Sequence, residues 1–182
     1  MTYATKSIHR HCTAQCRIDS PLGTMLLART DAGLAGAWFD SQKHHPDAID
    51  APERGDDPLL RETARQLHAY FAGEIDAFAL PLDLQGTAFQ RGVWQELLRI
   101  ETGATTSYGE IARTLGIPAA SRAVGSAVGR NPVSIIVPCH RVVGSSGSLT
   151  GYAGGLDRKT SLLRIEADRV RSRRGARQLE LH

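Results

Sequence analysis

Apolar and polar positions first organise the chain into three short extended runs, residues 13–18, 24–29 and 34–39. Ser20-Pro21-Leu22-Gly23 and Thr30-Asp31-Ala32-Gly33 separate them, both with turn chemistry. Short strands joined by tight turns predict an antiparallel meander. Residues 1–11 are read as disordered and residues 40–57, which have no period, as a surface loop. The period then lengthens: Leu59, Leu60, Ala64, Leu67, Tyr70 and Phe71 recur at three- and four-residue steps between Pro58 and Gly73, which predicts a helix. Residues 78–84 read as an extended connection.

Two capping boxes follow, Thr87 with Gln90 and Ser107 with Glu110. The helix behind the first carries Phe89, Val93, Trp94, Leu97, Leu98 and Ile100 on one side. The helix behind the second carries Ile111, Ala112 and Leu115, with Gly116 at its C′ position and Pro118 blocking continuation. A further helix over residues 119–129 is rich in small side chains, among which stands one long cation, Arg122. Helix, short glycine turn, helix is a helix-turn-helix pattern. Residues 135–143 then read as a buried strand that Pro138 interrupts, because proline has no N–H to donate. The strand presents Cys139 and His140. A loop with five glycines in residues 144–155 follows, with Tyr152 inside it. A last helix spans residues 156–167, its apolar positions Leu162, Leu163 and Ile165, with Glu166 near its end.

Composition narrows the class. A chain of 182 residues with 41% hydrophobic and 23% charged residues is long enough for one large or two small packed domains. No apolar run is long enough to span a bilayer, and the first twelve residues have no signal-peptide core. Three cysteines argue against a disulfide framework and for a reducing, cytoplasmic setting. The net charge of +3 hides an asymmetry: residues 1–84 hold 8 Lys and Arg against 12 Asp and Glu, whereas residues 85–182 hold 14 against 7. The basic half contains the Cys-His stretch, and Arg169, Arg171, Arg173, Arg174 and Arg177 extend it as a basic, disordered tail over residues 169–182. An anionic partner, nucleic acid first, fits that distribution.

The motifs together resemble the O6-alkylguanine-DNA alkyltransferases, the methylated-DNA–protein-cysteine methyltransferase family. Pro138-Cys139-His140-Arg141-Val142 is similar to its active-site signature. Ser107-Tyr108-Gly109-Glu110-Ile111-Ala112, Ser121-Arg122-Ala123-Val124-Gly125, Asn131-Pro132, Gly151-Tyr152-Ala153-Gly154-Gly155 and Leu162-Leu163-Arg164-Ile165-Glu166 follow the family in order and spacing. The resemblance implies an α+β protein: residues 1–84 as a small antiparallel sheet with helices, ribonuclease H-like, and residues 85–168 as a mainly helical, winged-helix-like domain carrying the cysteine. It implies duplex DNA as partner, entered through the minor groove, and a flipped alkylguanine as substrate. Cys139 would take the alkyl group irreversibly, in one turnover and without a cofactor, and a water would connect it to His140, whose imidazole Glu166 would orient. Asn131 would tie the helix-turn-helix to the active-site segment. Tyr108 would help turn the nucleotide out, and Arg122 would fill the gap. Ala120, Ser121, Ala123, Gly125 and Ser145 would line the DNA. Val128, Val142, Tyr152, Ala153 and Gly154 would form the alkylguanine pocket. The implied protein is a monomer that needs no membrane, with cooperative loading on DNA and activity on O4-alkylthymine left open. No metal is expected, since His9, His11, Cys12 and Cys16 lack a convincing ligand spacing. The alternative is a non-catalytic lesion binder, of the kind that keeps the groove-binding residues but lacks the cysteine.

Overall fold

A computed structural model describes residues 11–179; residues 1–10, including His9 and nearly all of the segment expected to be disordered, lie outside the described residues. The meander forms as the alternation predicts: β1 (Ala14–Ile18), β2 (Met25–Thr30) and β3 (Gly33–Phe39) pair antiparallel in that order. β3 is buried along its whole length, so both of its faces are covered. Cys16 packs into the main core on one side, while Cys12 joins Leu26, Ala28, Ala35, Trp38 and Ile49 in a second apolar cluster.

α1 (Pro58–Ala72) starts where the sequence places it. The Asp57 carboxylate accepts from the Leu59 and Leu60 amides, a cap worth about 1 kcal/mol. It stops at Gly73, whose φ of 81° is open to glycine and costly for other residues. Leu60, Leu67 and Tyr70 from this helix are fully buried against the sheet and the later helices.

Both capping boxes are made, at the heads of α2 (Ala88–Leu97) and α3 (Tyr108–Thr114). A 3₁₀ turn, Pro118–Ala120, leads into α4 (Ser121–Gly129), and α3 and α4 are in contact as a helix-turn-helix pair. Trp94 of α2 donates its indole N–H to the Ala127 carbonyl at 2.9 Å and so fixes α4 from behind. The apolar side expected for α2 is narrower than its sequence suggests. Val93, Trp94 and Leu97 are buried, but Phe89 in the first turn and Leu98 just past the last are 38% and 43% exposed.

The outer edge of β3 is taken by segments from elsewhere in the chain. At Leu34 it pairs with Leu82, and at Ala37 with Val133. The Ala37 N–H donates to Pro132, and the Ser134 N–H donates back to Ala37, at 2.9 and 2.8 Å. Just beyond β3, the Lys43 N–H donates to the Ala153 carbonyl and the Ser134 hydroxyl to the Gln42 side chain.

Two expectations are corrected. Residues 135–143 do not form a strand. Ile135 sits at φ 71°, an unusual conformation for a β-branched residue, and Cys139–Arg141 is a 3₁₀ turn. Only β5 (Val142–Val143) is extended, parallel to β4 (Thr106–Ser107). Pro138 has no N–H for a ladder, and the Asn131 amide takes over the carbonyls of Val133 and Val137 instead. The basic tail is also not disordered as far as it is described. α5 runs from Leu156 to Leu179 without a stop at residue 167. Arg169 holds it there: 9% exposed, it stacks over Tyr70 and donates to the carbonyls of Tyr70 and Ile75. Among the described residues no helix is long and apolar enough to cross a membrane.

Candidate active site

Cys139 opens the 3₁₀ turn, 3% exposed, with its own N–H donating to the Val137 carbonyl. The Asn131 amide reaches it from the end of α4. Its Nδ2 donates to Val137 at 2.8 Å and approaches the Cys139 Sγ at 3.1 Å, while Oδ1 accepts from the Val133 N–H. One side chain thus shapes the segment and touches the sulfur. Burial pushes the thiol up to about 11; the Asn131 contact, the charge of Lys159 and the local backbone N–H groups oppose that rise. Forming a thiolate is therefore the difficult step here, since the thiolate is the reactive form.

His140 is fully buried, and its Nε2 pairs with Glu166 Oε1 at 2.9 Å. Burial lowers its pKa, against the hydrogen bond and charge of Glu166, so the neutral ring is favoured. With Nε2–H donating to the carboxylate, Nδ1 is the acceptor. That atom is buried and has no hydrogen-bond partner among the described residues. A buried base with an open lone pair and a carboxylate behind it can accept a proton.

Glu166 is a hub. Its Oε1 also accepts from the Tyr70 hydroxyl at 2.7 Å and from Arg141 Nη2 at 2.8 Å. Its Oε2 accepts from Arg141 Nε and from the Gly103 N–H, both at 3.0 Å. Burial would raise its pKa, but the bonds to His140 and Arg141 outweigh that and hold the carboxyl well below the usual range. Arg141 is completed by the Ile100 carbonyl and the Thr102 hydroxyl.

The wall opposite the turn comes from the glycine loop. Gly154 is buried, and a Cβ there would stand 2.6 Å from the Tyr152 ring, so the ring packs only because residue 154 has no side chain. Tyr108, at the head of α3, donates its hydroxyl to the carbonyls of Thr150 and Gly151 at 3.1 and 3.3 Å. Gly125 of α4 lies against its ring. Val142 and Val128 are buried, and Ala153 is half-buried. Ala120, Ser121 and Gly125 are half-buried along the start of α4, whereas Arg122, Ala123 and Ser145 are exposed.

The predicted site residues therefore fall into two groups. Asn131 touches Cys139 and His140 touches Glu166, two pairs that meet at the 139–140 peptide bond, and Tyr108, Tyr152 and Gly154 line the adjoining loop. Arg122, Ala123 and Ser145 belong to an outer face. Sequence reasoning missed Lys159. Its ammonium is fully buried and donates to Val142 at 2.5 Å and Thr150 at 2.7 Å, which joins the cysteine turn to the glycine loop. Burial lowers its pKa, partly offset by the sulfur of Cys139. It also missed the roles of Tyr70 and Arg141. A signal existed in the helical spacing of Lys159, Leu162, Glu166 and Arg169, all of which are buried.

Comparison with known proteins points in one direction. Residues 88–168 match the family model described as 6-O-methylguanine DNA methyltransferase, DNA binding domain, and residues 16–84 match the ribonuclease-like domain of the same family. The methylated-DNA–protein-cysteine methyltransferase of Mycobacterium leprae is 50% identical over 161 residues, 88% of this chain and 94% of that one. Its counterpart in Methanosarcina acetivorans is 49% identical over 148 residues, 81% and 94% of the two chains. A crystal structure of Mycobacterium tuberculosis OGT in complex with DNA superposes with a TM-score of 0.79 at 47% identity, covering 86% of this chain and 94% of that one.

Proposed function

Since the chain belongs to the 6-O-methylguanine DNA methyltransferase family, we propose that it repairs alkylated DNA by taking the alkyl group of O6-alkylguanine onto Cys139. The observation that carries the assignment to these residues is a pair of buried contacts made by adjacent residues, Cys139 Sγ with Asn131 Nδ2 and His140 Nε2 with Glu166 Oε1.

The protein is a methylated-DNA–protein-cysteine methyltransferase acting on duplex DNA, with α+β architecture. On our reading residues 1–84 form the supporting domain, and residues 85–168 bind DNA and react. The setting is cytoplasmic. The outer face of α4 enters the minor groove, where small residues allow close approach. Arg122 occupies the place of the extruded guanine, and Tyr108 helps rotate the nucleotide outward. The base enters the pocket of Val128, Val142, Tyr152, Ala153 and Gly154. His140 Nδ1 receives the thiol proton through a water. The sulfur attacks the alkyl carbon, an S–C bond forms, and the C–O6 bond breaks with its electron pair left on guanine. The proton returns to the guanine, so the step balances without any further reagent. The thioether has no neighbouring group able to cleave it, and each molecule reacts once.

The test is intact mass followed by peptide mapping after incubation with duplex DNA containing O6-methylguanine. One methyl group on the Cys139 peptide is expected, and none on Cys139→Ser. A lesion binder without transfer would show binding and no added mass. Arg122→Ala should slow reaction with the duplex by at least about tenfold, the scale of 1.4 kcal/mol, while reaction with free O6-benzylguanine stays near the parent rate. Equal losses on both substrates would remove Arg122 from extrusion.

A further inference from the structure

The catalytic relay is held from one side by a residue that lies outside the C-terminal half. Tyr70, from α1, is fully buried and delivers its hydroxyl to Glu166 Oε1 at 2.7 Å. That same oxygen takes the His140 Nε2 contact at 2.9 Å. Two donors therefore compete for the charge of one carboxylate oxygen, one from each half of the chain. Arg141 adds a third through Nη2 and grips the second oxygen through Nε, where the Gly103 N–H also binds. Arg169, on the far side, lies 4.8 Å from the centre of the Tyr70 ring and fixes the Tyr70 carbonyl. The groups facing the carboxylate are thus Tyr70, His140, Arg141 and the Gly103 N–H, with Arg169 behind Tyr70.

The geometry points to Tyr70 as a positioning residue for alkyl transfer: by occupying Glu166 Oε1 it sets how strongly that carboxylate supports a proton on His140. The inference rests on the proposed relay from Cys139 to Glu166. Its physical content is a sign. A hydrogen bond to a carboxylate draws on charge that would otherwise stabilise imidazolium. Removing the Tyr70 donor leaves Glu166 anchored by Arg141 and Gly103, so the carboxylate stays in place with more charge directed at His140. The thiolate–imidazolium pair then forms at lower pH. A stronger phenol donor does the opposite. A tyrosine that merely fills space would change the rate equally at every pH.

The experiment measures modification of Cys139 by iodoacetamide against pH, read from the Cys139 peptide, alongside methyl transfer from duplex DNA containing O6-methylguanine. Tyr70→Phe is expected to move the midpoint down by about half a pH unit. Fluorotyrosine placed at position 70, nearly isosteric and a stronger donor, is expected to move it up. Glu166→Gln, which removes the carboxylate itself, should also move it up. Midpoints that stay put in both position-70 variants overturn the inference, as does movement of both in one direction. Should Tyr70→Phe fail to fold, the fluorotyrosine protein alone decides by the presence or absence of an upward shift. Wild-type protein that takes no methyl group from the duplex would sink the functional reading instead. The iodoacetamide profile, which involves no guanine, judges Tyr70 separately.

Discussion

Glu166 and Lys159 sit two turns apart on one helix, both fully buried and both facing the same site. Their surroundings differ completely. Glu166 meets a guanidinium in bidentate contact, a phenol, an imidazole and a backbone N–H. Lys159 meets two backbone carbonyls and, nearby, a sulfur that is neutral until it ionises. One charge is fully answered in the resting protein; the other is answered only by dipoles. A buried ion pair lost on one side is expensive, whereas a buried cation answered only by carbonyl dipoles carries a desolvation cost that its removal would relieve. Equal burial thus hides opposite contributions: Glu166 is bound up with stability, and Lys159 supplies a positive potential at the sulfur.

That contrast is open to test. Glu166→Gln should have the largest effect, because it leaves the Arg141 guanidinium buried without its carboxylate. A loss of about 3–5 kcal/mol in urea unfolding is expected, and a loss under 1 kcal/mol would break the comparison. The acid limb should follow the same residue. The folded pKa of Glu166 is depressed. Its contribution is therefore complete above the unfolded value of about 4.3 and is lost progressively as pH falls below it. Unfolding measured between pH 6 and 3, a span of about three units around that value, should be flatter for Glu166→Gln than for the parent.

Lys159→Met should be the milder change for stability, at most about 1–3 kcal/mol at neutral pH, because relief of the buried charge offsets the loss of the donor to the Val142 and Thr150 carbonyls. The folded pKa of Lys159 is also depressed, so its protonated form weighs against folding. The parent should lose stability relative to Lys159→Met as pH drops through the unfolded lysine value of about 10.4. The same variant should react with iodoacetamide at Cys139 only at higher pH, because the nearby cation favours the thiolate. A variant that unfolds as readily as Glu166→Gln and keeps the parent's pH profile would invert the assignment of the two charges.

The sequence made some of this legible and not the rest, for local reasons. The meander, α1 and both capping boxes are written in neighbouring residues, since turn, cap and period all lie within one element. Cys139, His140, Asn131 and Glu166 could be picked out by motif and family spacing, and the resemblance also implied the His140–Glu166 pairing, but not the Asn131 contact with the sulfur or the other donors gathered on Glu166. The 3₁₀ turn was hidden because residues 135–137 have the composition of a strand, and what prevents the strand is a side-chain amide at position 131. Tyr70 looked like one more apolar position in a periodic helix; its hydroxyl is used 96 residues further on. Lys159 stands in the polar run Asp157-Arg158-Lys159-Thr160, where nothing in the neighbouring residues marks it as buried. The end of the last helix was misplaced for a related reason, since the charges of Arg169 and Arg173 are satisfied by Tyr70, Ile75 and Asp76 from earlier in the chain.

The pairing of β3 with residues 132–134 bears on how such a chain could be shuffled. Charge divides the sequence near residue 84, and a recombination there would exchange two segments of opposite net charge. Yet the edge of β3 closes on the peptide between Asn131 and Cys139, and Lys43 closes on Ala153 of the glycine loop. A hybrid assembled from two relatives would inherit each half intact and still misplace the reactive sulfur, unless the β3 edge and the 132–134 peptide came from parents whose backbones match. Tolerance of such a crossover should therefore track the fit of a few main-chain hydrogen bonds more closely than overall sequence identity.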